Sequence, residues 1–130
     1  MREGYIYVDS IVFPTYFAIS QQEQQQGLMH VEWPPPVMSF VYASPQSNKF
    51  WMKNTPSPLD IVFCKAGKII AIHKGEPFST STIGPDDTSD LVIEFPHGTI
   101  NSSGITIGNK VGIISPTPVE LRTILAQHKF

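Results

Sequence analysis

Residues 59–74 read Leu59-Asp60-Ile61-Val62-Phe63-Cys64-Lys65-Ala66-Gly67-Lys68-Ile69-Ile70-Ala71-Ile72-His73-Lys74. Two apolar, β-branched runs of strand length stand either side of Ala66-Gly67, and Gly67 can take the positive φ of a tight hairpin turn. This hairpin is predicted as the backbone of the core. Its alternation puts Leu59, Ile61 and Phe63 on one face and Asp60, Val62 and Cys64 on the other. Working outward, Tyr5–Val8, Thr15–Ile19, Val37–Tyr42, Leu91–Phe95 and Val111–Ile114 carry the same composition in short pieces, punctuated by Asp9-Ser10, Pro14 and the turn-forming stretch Ala43–Lys49. Trp33-Pro34-Pro35-Pro36 supplies three residues without amide donors and reads as an extended surface connection.

Two segments read as helices. Ser20 with Glu23 forms a capping box ahead of a glutamine-rich turn that ends at Gly27, and Thr117-Pro118-Val119-Glu120 forms a second, with Pro at the favoured first position. The latter starts a C-terminal helix over about residues 118–128, with Leu121, Ile124 and Leu125 as its apolar stripe. Gly98–Gly104 fits one further helical turn. The expectation is a mainly β (α+β) single domain over 1–130: a compact, mostly antiparallel, barrel-like body with a short capped helix after the early strands and a helix at the end.

Composition narrows the function classes. Twelve Pro and nine Gly among 130 residues argue against helical bundles, and a net charge of −2 lacks the cationic surplus needed to track phosphates, so neither nucleic acid nor membrane is expected as a partner. A single cysteine, Cys64, permits no intrachain disulfide and fits a reducing compartment. No signal peptide is read, because Asp9 and Pro14 interrupt the one early apolar stretch. His30, His73, His97 and His128 show no metal-ligand spacing, and neither a nucleophile elbow nor a phosphate loop is present, so no metal and no cofactor are expected.

The chemistry concentrates in Phe50-Trp51-Met52-Lys53-Asn54-Thr55 and the following Pro58-Leu59-Asp60. Trp51, Lys53, Asn54, Thr55 and Asp60 offer a ring, a cation, an amide, a hydroxyl and a carboxylate within ten residues, a set suited to holding a small polar ligand. A scaffold role is the alternative: Asn54 and Thr55 bonding the turn, Asp60 accepting the turn's amides, and Lys53 pairing with it. Phe50 and Met52 alternate with Trp51 and Lys53 and are assigned to the core. His97 and Glu94 are read as a surface histidine and a solvated glutamate.

Gly27-Leu28-Met29, Phe50-Trp51-Met52-Lys53-Asn54-Thr55, Pro58-Leu59-Asp60-Ile61-Val62-Phe63 and Leu91-Val92-Ile93-Glu94 together resemble the domain of unknown function 192 family over about residues 15–114. The resemblance implies a compact, mostly β domain with a short capped helix before the Gly-Leu-Met. It implies no reaction, since the family's biochemical activity is not established. Val37, Ser57 and Asn109 depart from the family's usual Gly, long aliphatic and Asp. Bacterial members often begin with a secretion signal, whereas this sequence points to a cytoplasmic or virus-encoded protein.

The first reading of function is a noncatalytic or accessory module that binds a small polar ligand or a protein partner through Trp51–Asp60. The second is a small-substrate enzyme with Asp60 or Glu94 as base and Lys53 as electrostatic stabiliser. A third is an interaction protein that docks on a larger assembly through Trp33-Pro34-Pro35-Pro36 and the C-terminal helix.

Overall fold

Seven strands build one curled, mostly antiparallel sheet in the computed structural model, which describes residues 1–128. In chain order they are β1 (Arg2–Val8), β2 (Ile11–Ala18), β3 (Met38–Gln46), β4 (Leu59–Lys65), β5 (Lys68–Gly75), β6 (Ser89–Pro96) and β7 (Val111–Ser115). The helices are α1 (Gln21–Gln26), α2 (Thr99–Ser103) and α3 (Pro118–Gln127). Spatial order is β5-β4-β6-β3-β2-β1-β7, and β2 with β3 is the one parallel pair. At one end the two edges meet, with Ile69 N donating to Asn109 O at 3.0 Å and Val111 N to Gly67 O at 3.0 Å. The sheet is a half-barrel whose strands alternate across two apolar layers.

One layer, including Ile6, Phe17, Val62, Ile93 and Phe95, draws on every strand and takes in Ile124 of α3. The other, with Phe40, Leu59, Ile61, Phe63 and Val92, lies on the opposite face and is roofed by Leu28 and Met52. The hairpin alternation is as expected: Leu59, Ile61 and Phe63 go one way, Val62 and Cys64 the other. Ala66 and Gly67 both have positive φ (50° and 76°), which matches the twist of the strands they join. Burial pushes the Cys64 thiol well above its usual range, with Asp90 adding to it, so Cys64 packs as a small hydrophobe.

Both capping boxes form, Ser20 with Glu23 and Thr117 with Glu120. Gly27 closes α1 at φ 49°, ψ −127°, a region that costs L-residues heavily, and a Cβ there would meet the Phe40 ring at 3.3 Å. Gly27→Ala should therefore lower stability by about 2 kcal/mol, and chemical denaturation showing no loss would refute this account of the helix end.

Two boundaries depart most from expectation. β2 runs through Pro14 because β3 pairs with it only from Tyr16, which leaves the proline opposite Tyr5 and without a ladder on its other side. β3 runs on through Ala43–Gln46, read from its Ser and Pro as a turn. It is bulged there, with Gln46 alone re-pairing to Ser89, so missing donors cost little.

Candidate functional site

The layer containing Phe40 and Phe63 is covered by chain that is not in the sheet. Residues 47–58 cross it, pinned on one side by Met52 N to Ser79 O (2.8 Å) and Phe50 N to Ile83 O (2.8 Å). On the other side His30 N donates to Asn54 O at 2.7 Å, and Ser57 Oγ donates to Val31 O at 3.0 Å. Phe50 stacks edge-on between Phe40 and Phe63, with centroids 4.9 and 5.8 Å away. Alternation then holds Met52 inside and turns Trp51 and Lys53 outward. A loop anchored at this many points presents its side chains in fixed positions.

Between this segment and α1 lies an open cleft of about 640 Å³, walled by Gln24 and Gly27-Leu28-Met29 on one side, Asn48, Trp51 and Thr55 on the other, and reached by Tyr42 and Glu94 of the sheet. Glu94 is the unusual member. It is 4% exposed, and among the described residues no protein group is hydrogen-bonded or ion-paired to its carboxyl, whose remaining exposure is to the cleft, since no fully enclosed side-chain oxygen lacks a partner. Burial alone pushes it up to about 8. Tyr42, which lines the same cleft, is raised as well, mainly by burial and then by the Glu94 charge.

The sequence reading of Glu94 as solvated is thereby corrected. Val92 and Glu94 share a strand face opposite Leu91, Ile93 and Phe95, and that face is covered by the pinned segments. A strand apolar on both faces was the available signal, since such strands are buried on both sides.

The five residues singled out from the sequence do not converge. Trp51 and Thr55 line the cleft. Lys53 lies with its Nζ 5.2 Å from the Trp51 ring centroid, outside the cleft and unpaired with Asp60. Asn54 takes a positive φ of 57° at the turn and contributes its carbonyl to His30. Thr55 Oγ1 donates to Lys53 O at 3.1 Å, as the scaffold alternative expects.

Asp60 faces the other way. Its Oδ2 accepts from Gly98 N (3.0 Å) and Ile100 N (3.1 Å), and its Oδ1 lies 2.8 Å from His97 Nδ1, which therefore carries the hydrogen. The amides it satisfies belong to Gly98, the N-cap of α2, and to Ile100 in that helix's first turn, not to the Pro-rich turn, and the helix has no side-chain cap from its own N-cap residue. His97 itself is exposed, as expected.

Among the described residues no three His, Cys, Asp or Glu side chains gather as a metal site, and no helix is long and apolar enough to cross a membrane. No curated protein matches the chain significantly. Several solved structures share the fold, among them the following two. A protein of unknown function from Novosphingobium aromaticivorans superposes with a TM-score of 0.79 at 27% identity, covering 85% of this chain and 84% of its own. A protein from Sinorhizobium meliloti described as a "putative transcription regulator" superposes with a TM-score of 0.80 at 25% identity, covering 86% and 94%. The model of family DUF192, described as "Uncharacterized ACR", matches residues 8–113. With the Gly-Leu-Met, the Trp-Met-Lys-Asn-Thr run and Glu94 all inside that span, the chain belongs to the domain of unknown function 192 family.

Proposed function

We propose that this protein is a noncatalytic binding module for a small polar ligand, seated in the cleft between α1 and residues 47–58. One observation carries the reading: Glu94, buried and without a partner, opens onto a cleft where three sequence-distant segments meet. A carboxyl largely stripped of water, with only the cleft to face, costs stability in its charged form, and proteins keep such costs at functional sites. Trp51 and Thr55 remain binding residues in this reading, Lys53 holds the Trp51 ring from outside, and Asn54 and Asp60 are scaffold. The net charge of −2 makes nucleic acid a poor occupant, and the buried thiol of Cys64 accords with a cytoplasmic or virus-encoded setting.

A second reading draws on the same residue: a carboxyl poised near neutral pH is suited to general acid or base work, which would make this a small-substrate enzyme acting through Glu94. It ranks lower because neither Lys53 nor Asp60 lines the cleft to assist.

Amide shift mapping by NMR with a panel of sugars, amino acids, amines and nucleosides tests the proposal. Shifts should gather at residues 24–29, 48–55 and Glu94, and Trp51→Ala should weaken the bound compound at least about tenfold. Shifts gathered instead around Asp60 and His97, or none with any compound, would refute it.

A further inference from the structure

The hydrogen-bonding direction of the anchored side chains in the cleft says more about its ligand. Gln24 Nε2 lies 3.1 Å from Ala18 O and 3.0 Å from Val41 O. Only an NH₂ group can face two carbonyl oxygens, so the amide orientation is settled by its partners and Oε1 is left without one. Asn48 gives its NH₂ to Ser89 O (3.1 Å) and Ser89 Oγ (2.7 Å), while Gln46 Nε2 donates to Asn48 Oδ1 at 3.0 Å and keeps its own Oε1 free. Thr55 has spent its one hydrogen on Lys53 O.

The anchored amides and the threonine that line the cleft thus have their hydrogens committed elsewhere and acceptor capacity left over, and the Glu94 carboxyl adds to it. Lys49 is the cation on the rim, but its ammonium is held by Gly84 O (2.8 Å), Pro85 O (2.9 Å) and, at 3.6 Å, Asp86. Glu23 of α1 turns its carboxylate back onto the Ser20 and Ile19 amides. From β3, Tyr42 is the titratable group that shares the cleft with Glu94 and is raised by its charge. Tyr42, Phe50 and Trp51 also put aromatic rings into the cleft lining, and Trp51 already carries an ammonium, that of Lys53, at its outer side.

Resting on the reading of this cleft as a ligand site, we infer that the group it takes is a small organic cation, an alkylammonium or guanidinium that donates to Glu94 and to the free amide oxygens. Such a group brings several hydrogens and no acceptor, the complement of Glu94 and the anchored amides. The same chemistry is offered by a free amine and by a lysine side chain on a polypeptide.

Binding requires the Glu94 carboxylate. Below about pH 8 the empty site holds a proton there, which a bound ammonium displaces into solvent, so affinity rises with pH until Glu94 is ionised. Calorimetric titration of the whole chain with n-butylammonium, its neutral isostere 1-butanol, and Nα-acetyl-lysine amide tests this. n-Butylammonium should bind at least about tenfold tighter than 1-butanol near pH 8.5, with affinity falling more than about tenfold by pH 6.5 and heats at pH 7 that vary with buffer ionisation enthalpy. Glu94→Gln should abolish the preference, and the pH profile and proton release of the wild type stand as evidence even if that variant folds poorly. Tighter binding of the lysine amide would assign the source to a polypeptide, and tighter binding of n-butylammonium to a free amine. Equal binding of 1-butanol, or a preference that survives Glu94→Gln, overturns the inference. If glucose or another neutral compound from the panel binds the cleft while amines do not, the inference fails and the binding module stands; if nothing binds, both fail.

Discussion

At about pH 8.5 the Glu94→Gln protein is expected to be more stable than the wild type by roughly 3–5 kcal/mol, while near pH 4.5 the two should be nearly alike. The reason is linkage. In the unfolded chain Glu94 titrates near its ordinary 4.5, whereas in the folded protein burial holds it up to about 8, so the folded state binds the extra proton. Wild-type stability from this group is complete below about pH 4.5. It falls by about 1.4 kcal/mol per pH unit as pH rises toward 8, and is flat beyond. Glutamine does not titrate and lacks that slope, and its amide in the same unpartnered place costs part of the gain. Denaturant melts of both proteins across this pH range read the difference directly. Parallel curves for the two proteins would mean that Glu94 is solvated or paired in solution, and the cleft would lose its central feature.

Asp60→Ala is expected to cost about 3 kcal/mol or more, because it strips two backbone amides and an imidazole N–H of their common acceptor at once. Gly98, at φ 100°, turns the chain between β6 and α2, and the Asp60 carboxylate holds that corner from β4 across the sheet. Asp60→Asn should lose less, about 1–2 kcal/mol, since its remaining oxygen can still accept both amides and its NH₂ can donate to His97 in the other tautomer. Lys53→Met should be near neutral, as Lys53 is exposed and its contact is with the Trp51 ring. Thermal melts of the three variants decide it. An unchanged midpoint for Asp60→Ala, with a large drop for Lys53→Met, would reverse the assignment of scaffold and surface.

Part of the site is legible in the sequence. Trp51 and Thr55 were singled out and do line the cleft, and the alternation of Phe50 and Met52 against Trp51 and Lys53 is a period-two argument that needs no partner strand. Asp60 was placed correctly on the face opposite Leu59, but its three partners lie 37–40 residues further along the chain and no local pattern names them. Glu94 was misjudged because a carboxylate near a strand end is solvated unless something covers it. What covers it here comes from residues 27–31 and 47–58.

The sequence by itself determined the elements whose physics is local: the Ala66-Gly67 hairpin, the two capping boxes, the Gly27 helix end and the apolar faces of the strands. Each depends on side chains within about four residues of one another, where periodicity, capping and φ preferences act. Only the tertiary structure decided the strand order, with β6 inserted between β4 and β3, and so decided that Glu94 faces the same cleft as Tyr42 beneath a roof of distant chain. Burial is the reason. Whether a polar group keeps its water depends on which remote segment lies over it, and that is fixed by the packing of the whole sheet.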